Sequence, residues 1–354
     1  MKKVIIISLS AILALLLVLG ISAYLIFRKE IGVINTIMLI NDNPRLYTMQ
    51  YFGDYGFDGF LALGGAKSND ELAEYLSSYI SKGFYKHTVT ENIGGCSTVA
   101  AENEIGERIF GRNFDWEDCA VMIVETVPPN GYRSISTVNL YFIGYSADYL
   151  PSSLFNSVLA LGAPYAPLDG MNEKGLCVAD LLIEDAGETH QDTGRPNLTT
   201  TTAIRLLLDY AATVDEAIVL LEQYDMHSDM GIMHHLAISD ATGRSVVVEY
   251  IDNIMFVTDA PVVTNFFLTP GEWFGFGGEL SKQRYDILYG AYVENEGILD
   301  EHDIKNILWE VRSTNGFEPG WITQWSVVYN QSTGTVTFYL NEDFDKEYGF
   351  QVDQ

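Results

Sequence analysis

The sequence predicts an α+β protein: two packed, mainly antiparallel sheets with helices grouped outside them, set behind an amino-terminal helix of membrane type. Three observations carry this. From residue 96 the chain runs strands, then helices, then strands again. Residues 4–27 hold no charge. The chain of 354 residues carries a net charge of −28 with 47% apolar and 12% aromatic residues, the balance of a globular protein. That charge speaks against a nucleic-acid partner, because polyphosphates need a basic surface.

Taken in order, Lys2 and Lys3 precede 24 uncharged residues whose apolar surface is broken only by Ser8, Ser10, Ser22 and the hydroxyl of Tyr24. At about 1.5 Å per residue such a helix crosses the hydrocarbon of a bilayer. Gly20 and Ser22 have the size a signal-cleavage site needs, but the length favours an uncleaved anchor. The basic amino-terminal flank puts that end in the cytoplasm and the rest of the chain outside. Residues 1–29 are thus a signal-anchor or signal peptide, and with cleavage the protein would be secreted.

Residues 30–95 form a second unit. Residues 1–95 hold eight basic and eight acidic residues, so the following 259 carry the whole net charge. The segment has an aromatic, glycine-containing stretch (Tyr47, Tyr51, Phe52, Tyr55, Phe57, Phe60). A helix follows from Asp70 to about Lys82, in which Leu72, Tyr75, Leu76, Tyr79 and Ile80 recur at helical spacing and Asn69 or Asp70 is the cap.

Residues 96–354 are the third unit. Strands are predicted at 97–102 and 108–113, a hairpin around Asn103-Glu104-Ile105-Gly106, and at 121–127 and 134–142. Another strand follows Asn172. Helices are predicted from a cap at residues 199–202 to about 212, and over 214–224. Short strands at 235–239, 245–251, 255–258 and 262–265 come next, then helices at 279–295 and 300–312. A hairpin of 325–330 and 335–340 closes the chain.

The chemistry centres on Cys96. It follows Gly94-Gly95 at a strand start, where the charge composition breaks, as expected if the bond before it is cut by an N-to-S acyl shift. Cutting frees an α-amine with a reference pKa of about 7.7 to 8.0, a usable general base. Sixteen residues on, in Gly111-Arg112-Asn113-Phe114-Asp115-Trp116, a hairpin returns Arg112 and Asp115 beside Cys96, where a guanidinium favours thiolate and a carboxylate holds the amine. Cys119 and Cys177 are expected as packed free thiols. His234-His235 makes a poor metal site, because neighbours on a strand point to opposite faces. No metal and no cofactor is expected. The cluster Trp273, Phe274 and Phe276 is a candidate border for an acyl pocket.

Cys96-Ser97-Thr98, Phe110-Gly111-Arg112-Asn113-Phe114-Asp115-Trp116, Gly170-Met171-Asn172-Glu173-Lys174-Gly175-Leu176, Thr264-Asn265 and Ser281-Lys282-Gln283-Arg284-Tyr285 stand in the order seen in the choloylglycine hydrolase family, which the chain resembles over most of 96–340. That family includes bile-salt hydrolases and penicillin V acylases, with acid ceramidase and isopenicillin-N acyltransferase-like relatives. The resemblance implies a four-layer αββα sandwich of the N-terminal-nucleophile hydrolase type. It implies Cys96 as nucleophile exposed by self-cleavage, Arg112 and Asp115 beside it, Asn172 and Asn265 serving the oxyanion, and Arg284 from a late helix. The bile-salt and penicillin branch begins at or near its nucleophile, whereas here 95 residues precede it, as in the ceramidase and acyltransferase relatives. The implied activity is hydrolysis of a linear, non-peptide carbon–nitrogen bond in a small-molecule N-acyl amide. Acyl transfer to an amine is the second reading and a membrane-tethered, inactive binding protein the third. Oligomeric state is not legible.

Overall fold

The computed structural model describes residues 2–40, 43, 45–89, 95–183, 185–228, 232–314 and 321–353. The chain opens with α1 (Lys2–Ile34), β1 (Met38–Leu39), β2 (Leu46–Phe52), α2 (Phe57–Ala62) and α3 (Asn69–Tyr79). Next come β3 (Gly95–Glu102), β4 (Arg108–Trp116), β5 (Val121–Val127), β6 (Ser134–Asn139), a ten-residue 3-10 run (Asn156–Tyr165), β7 (Asp169–Asn172) and β8 (Cys177–Ile183). The middle holds β9 (Asn197–Thr199), α4 (Thr200–Tyr210), α5 (Val214–Leu221), β10 (Asp225–His227), β11 (Met233–Ser239), β12 (Ser245–Ile251), β13 (Ile254–Asp259) and β14 (Val262–Val263). The last elements are α6 (Glu279–Glu294), α7 (Glu301–Glu310), β15 (Ile322–Asn330), β16 (Thr335–Leu340) and β17 (Asp343–Gln351).

Among the described residues, nine strands form one sheet in the order β1-β2-β5-β6-β7-β8-β11-β12-β13, and six form another in the order β14-β3-β4-β15-β16-β17. Both are antiparallel except where β2 runs parallel to β5, from Leu46 opposite Val121 to Phe52 opposite Val127. Period-two alternation then decides the layers. Phe114, Trp325, Val327, Met171, Leu181 and Ala237 meet between the two sheets. The other face of the nine-stranded sheet is covered by α2 to α5 and the 3-10 run, through Phe60, Leu72, Leu76, Ile204 and Leu208. The other face of the six-stranded sheet is covered by α6 and α7, through Leu288, Ile304 and Leu308 on Val99, Ile109 and Val328. Gly111 lets α7 sit directly on β4, since a Cβ there would lie 2.4 Å from Ile304 Cγ2.

Several boundaries differ from the sequence reading. The cap of α3 is Ser68, whose Oγ accepts from the Glu71 N–H at 3.2 Å, rather than Asn69 or Asp70. That helix stops at Tyr79 because Lys82 and Gly83 turn to positive φ (53° and 80°). The strand expected over 134–142 ends at Asn139, whose side chain accepts from the Tyr141 N–H and starts a 3-10 turn. The aromatic stretch before Cys96 supplies an interior strand: β2 lies between β1 and β5, with Tyr51, Tyr55, Phe57 and Phe60 buried on the helix side. The 3-10 run and β17 were also not foreseen.

Candidate active site

Cys96 is the second residue of β3, opposite Phe114 on β4, and its strand lies inside the six-stranded sheet. Its Sγ faces the space between the sheets, as do Ala100 on the same strand and Phe110 and Phe114 on the next. Arg112 lies two residues before Phe114 and so shares that face; its Nη2 donates to Cys96 Sγ at 3.3 Å. Three acceptors fix the guanidinium. Nη1 donates to the Leu168 carbonyl at 2.8 Å and to the Asp169 carboxylate, and Nη2 to the Asp180 carbonyl at 2.8 Å. Asp169 accepts in turn from Trp325 Nε1 at 2.9 Å and from the Tyr329 hydroxyl at 2.7 Å. Both charged side chains are fully buried.

Burial pushes the Cys96 thiol up to about 12; Arg112 opposes this, while the Asp115 and Asp180 charges add to it. In the uncut chain the sulfur is therefore a neutral thiol at physiological pH, and a guanidinium alone does not make it nucleophilic.

A second group grips the Cys96 backbone from the opposite face. The Cys96 N–H donates to Asn265 Oδ1 at 2.8 Å, and Arg284 Nη2 donates to the same oxygen at 2.9 Å. Arg284 Nη1 donates to the Cys96 carbonyl at 3.3 Å and to Asp115 Oδ2 at 2.7 Å. The other Asp115 oxygen accepts from the Thr323 hydroxyl at 2.6 Å. Asn265 Nδ2 donates to the Leu182 carbonyl at 2.8 Å, tying the two sheets together at this point. The chain after Asn265 is set by Glu249, which accepts from the Leu268 and Thr269 N–H groups at 2.9 and 2.7 Å and pairs with His235 Nδ1 at 3.1 Å. Burial would raise the Glu249 carboxyl, but the hydrogen bonds from His235, Thr269 and Leu268 outweigh it and lower it overall.

Thus Cys96, Arg112, Asp115, Asn265 and Arg284 come together, with one difference from the sequence reading. Asp115 is three residues past Arg112, so it falls on the other face of β4; it lies opposite Gly95 and reaches Cys96 through Arg284. Asn172 is not brought to the thiol. Its Oδ1 accepts from the Lys174 and Leu176 N–H groups at 3.0 and 3.1 Å, and its Nδ2 donates to the Leu208 and Ala211 carbonyls at 3.1 and 2.7 Å. All four bonding positions of that amide are used in pinning the β7–β8 turn to the end of α4.

Asp169, Trp325, Tyr329 and Thr323 were not foreseen. Asp169 directly precedes the Gly170-Met171-Asn172 run, and Trp325 and Tyr329 are four apart on one strand face, a spacing that would have placed both on one side. His234 and His235 do point apart, His234 Nδ1 to Asp180 at 2.9 Å and His235 to Glu249. Among the described residues no group of three or more His, Cys, Asp or Glu is arranged to hold a metal ion, and Cys119 and Cys177 are buried free thiols. The Trp273 and Phe276 rings pack on each other and on Phe267, two residues past Asn265, so the aromatic loop adjoins the site.

Known proteins resemble the chain in sequence and in fold. Residues 96–266 match the profile of the linear amide C-N hydrolases, choloylglycine hydrolase family. Penicillin V acylase of Pectobacterium atrosepticum is 25% identical over 194 residues, covering 49% of this chain and 50% of that protein, so the match spans half of the relative's length. Two crystal structures of conjugated bile acid hydrolase from Clostridium perfringens, a mutant and a variant, superpose with TM-scores of 0.55 and 0.53 at 20% and 18% identity. Each alignment covers 73% of this chain and 94% of the other, which establishes a shared fold. The match begins on Cys96 itself, and residues 96–266 resemble the choloylglycine hydrolase family of linear amide C-N hydrolases.

Proposed function

We propose that the protein is an autoprocessed cysteine N-terminal-nucleophile hydrolase that cleaves a linear, non-peptide amide bond of an N-acyl compound. Its fold is read as the αββα sandwich of such enzymes, with residues 30–95 as a pro-segment. The observation that carries this is the double hold on Cys96: its nitrogen on Asn265 Oδ1 at 2.8 Å and its sulfur at 3.3 Å from the Arg112 guanidinium. A strand cysteine with only a structural role needs neither.

In processing, Cys96 Sγ attacks the Gly95 carbonyl carbon, the peptide C–N bond breaks, and the acyl group passes to sulfur. Water then hydrolyses the thioester, leaving Gly95 as a carboxylate and Cys96 with a free amine. In catalysis that amine, held by Asn265 Oδ1, takes the thiol proton. The thiolate, stabilised by Arg112, attacks the substrate carbonyl. An Asn265 amide N–H receives the developing oxyanion, and the ammonium gives its proton to the leaving nitrogen. Water, deprotonated by the amine, attacks the acyl-thioester, releasing the carboxylic acid and restoring the thiol. Asp115 acts by orienting Arg284, and Arg284 by orienting Asn265. Asn172 acts by holding the β7–β8 turn.

The segment 4–27 is read as an uncleaved anchor that leaves the body outside the cell. Support comes from α1, a single helix from Lys2 to Ile34 with Val33 and Ile34 buried in the body, so the run is continuous with the fold. Residues 12–34 are long and apolar enough for a membrane span or a signal sequence.

The test is the intact mass of wild type, Cys96→Ser and Cys96→Ala, each incubated with a panel of N-acyl amides. Wild type should split before Cys96 and turn over an amide, Cys96→Ser should split slowly and hydrolyse almost nothing, and Cys96→Ala should do neither. Turnover by Cys96→Ala, or full activity in a chain still joined through Gly95, rules the proposal out.

A further inference from the structure

Where α1 meets the body, its last turns wall an apolar cavity of about 350 Å³. Phe27, Ile31 and Ile34 form one side; Ile80 and Phe84 form the second, and Phe155, Val158 and Leu161 the third. Its volume is that of a small-molecule site. The polar side chains along it are few, and apart from Glu30 Oε2, which is buried without a hydrogen-bond partner, their polar atoms are engaged. Glu30 Oε1 pairs with Lys82 at 3.2 Å, the Tyr85 hydroxyl meets that of Tyr149 at 3.1 Å, and Ser81 Oγ donates to the Ser77 carbonyl at 2.7 Å. The mouth is apolar as well: Phe84 is 83% exposed, Phe155 80% and Leu154 44%. Large apolar side chains grouped at one mouth are the kind of patch that soluble monomers rarely leave bare.

The helix fixes the depth of this patch. Phe27 is the last residue of the uncharged run, and Arg28 and Lys29 follow it. On the reading of α1 as a span, Phe27 lies at the hydrocarbon boundary, with the two cations among the headgroups. The Phe84 ring contacts the Phe27 ring edge-on, with centroids 6.0 Å apart, so Phe84 lies at the same depth. The cavity begins beside Phe27 and runs along α1 toward Ile34, about 10 Å of helix rise away from the bilayer core.

We propose that this groove is a lipid site: the acyl chain of a bilayer phospholipid rises out of the leaflet into it, past Phe84 and Phe155 in the interface. The helix that crosses the membrane forms one wall and brings the mouth to the bilayer, so hydrocarbon is the solvent the opening meets. The proposal rests on the reading of α1 as a membrane span.

Collision-accessibility measurements on the full chain in phosphatidylcholine–phosphatidylglycerol vesicles test it. The three native cysteines are buried, so a nitroxide can be directed to Phe155→Cys, with Leu16→Cys on α1 and Val219→Cys on α5 as references. The Leu16 and Phe155 labels should favour oxygen over a water-soluble nickel chelate, and the Val219 label the reverse. A Leu16 label in hydrocarbon with a Phe155 label in water overturns the lipid site and leaves the span standing. If both labels are in water, the span reading fails and the lipid site with it. Native mass spectrometry from nanodiscs tests the occupant: wild type should retain one phospholipid, and Phe155→Asp, at an exposed position, should lower that retention at least about tenfold. Retention unchanged by Phe155→Asp, or a wild-type chain carrying no phospholipid, overturns the proposal.

Discussion

The proposed scission of the Gly95–Cys96 bond would remove the covalent joint between the amino-terminal part and the 259 residues that follow, yet we expect the two to stay together. Seven residues of β2 remain paired with β5. The Tyr55 hydroxyl donates to Asp209, the Tyr165 hydroxyl donates to the Tyr55 carbonyl at 3.0 Å, and the Asn197 N–H donates to the Gly64 carbonyl at 2.8 Å. Apolar burial contributes more than these bonds. Tyr51, Tyr55, Phe57 and Phe60 are each buried. At about 150 to 250 Å² per aromatic and about 25 cal/mol per Å², they contribute roughly 15 to 25 kcal/mol gross. An association cost of about 4 to 15 kcal/mol leaves about 10 kcal/mol at the midpoints, a dissociation constant in the nanomolar range. The assay is size exclusion in mild detergent at micromolar protein, at low and at 1 M salt, with a denaturing gel of each peak. Both pieces should co-elute at both salt concentrations and separate only on the gel. Should self-cleavage be slow, a protease site substituted for residues 90–94 makes an equivalent nick. The 259-residue piece running alone in native buffer refutes the reasoning.

Four further outcomes are expected. Arg112→Met should cost about 3 to 5 kcal/mol in urea denaturation, because it leaves Asp169 charged and buried. Arg112→Met with Asp169→Leu should recover most of that and still turn over no amide, and a double variant as unstable as the single one contradicts the ion-pair account. Asn265→Ala should keep its fold and lose about 10²- to 10³-fold in kcat. Asn172→Ala should instead lose a few kcal/mol of stability, as an amide with four bonds is removed, while the folded fraction keeps its kcat. Burial holds the His87 imidazole down at about 4 against its ordinary 6.5. The unfolded chain therefore takes up a proton below about 6.5 that the folded chain refuses until about 4. Stability should fall across that window by up to about 3 kcal/mol as pH falls. Urea midpoints from pH 7 to 4 measure it, and His87→Leu should flatten the slope.

What was legible in the sequence depended on how local the signal was. The hairpin of β3 and β4 could be read because Asn103-Glu104-Ile105-Gly106 separates two apolar strands, and that pairing alone carries Arg112 to Cys96. Alternation along β4 also decides that Asp115 leaves that face, a step that grouping both residues beside the thiol passed over. Asn172 sits in a recognisable motif, but its four partners include carbonyls of Leu208 and Ala211, more than thirty residues away, and no local pattern reports them. Strand β2 escaped notice for a related reason. Its residues do alternate, with Tyr47, Met49 and Tyr51 buried between Thr48 and Gln50, but its parallel partner lies some 75 positions further on, so no hairpin turn marks it as a strand. The Arg112–Asp169 pair joins two sheets, and a buried ion pair of that kind becomes visible only once the layers are stacked.

The unbroken course of α1 from Lys2 to Ile34 has a mechanical consequence. A helix without a break transmits torsion, so on the reading of α1 as a membrane span, that span and the body turn as one piece, like a key and its bow. Each residue of helix is worth about 100° of rotation. One residue inserted after Phe27 would leave the length of the helix almost unchanged and still swing the body a little over a quarter of a turn around the helix axis, carrying Phe84 away from the ring it touches. Azimuth, not only attachment, is written into the spacing between the last uncharged residue and the first buried one.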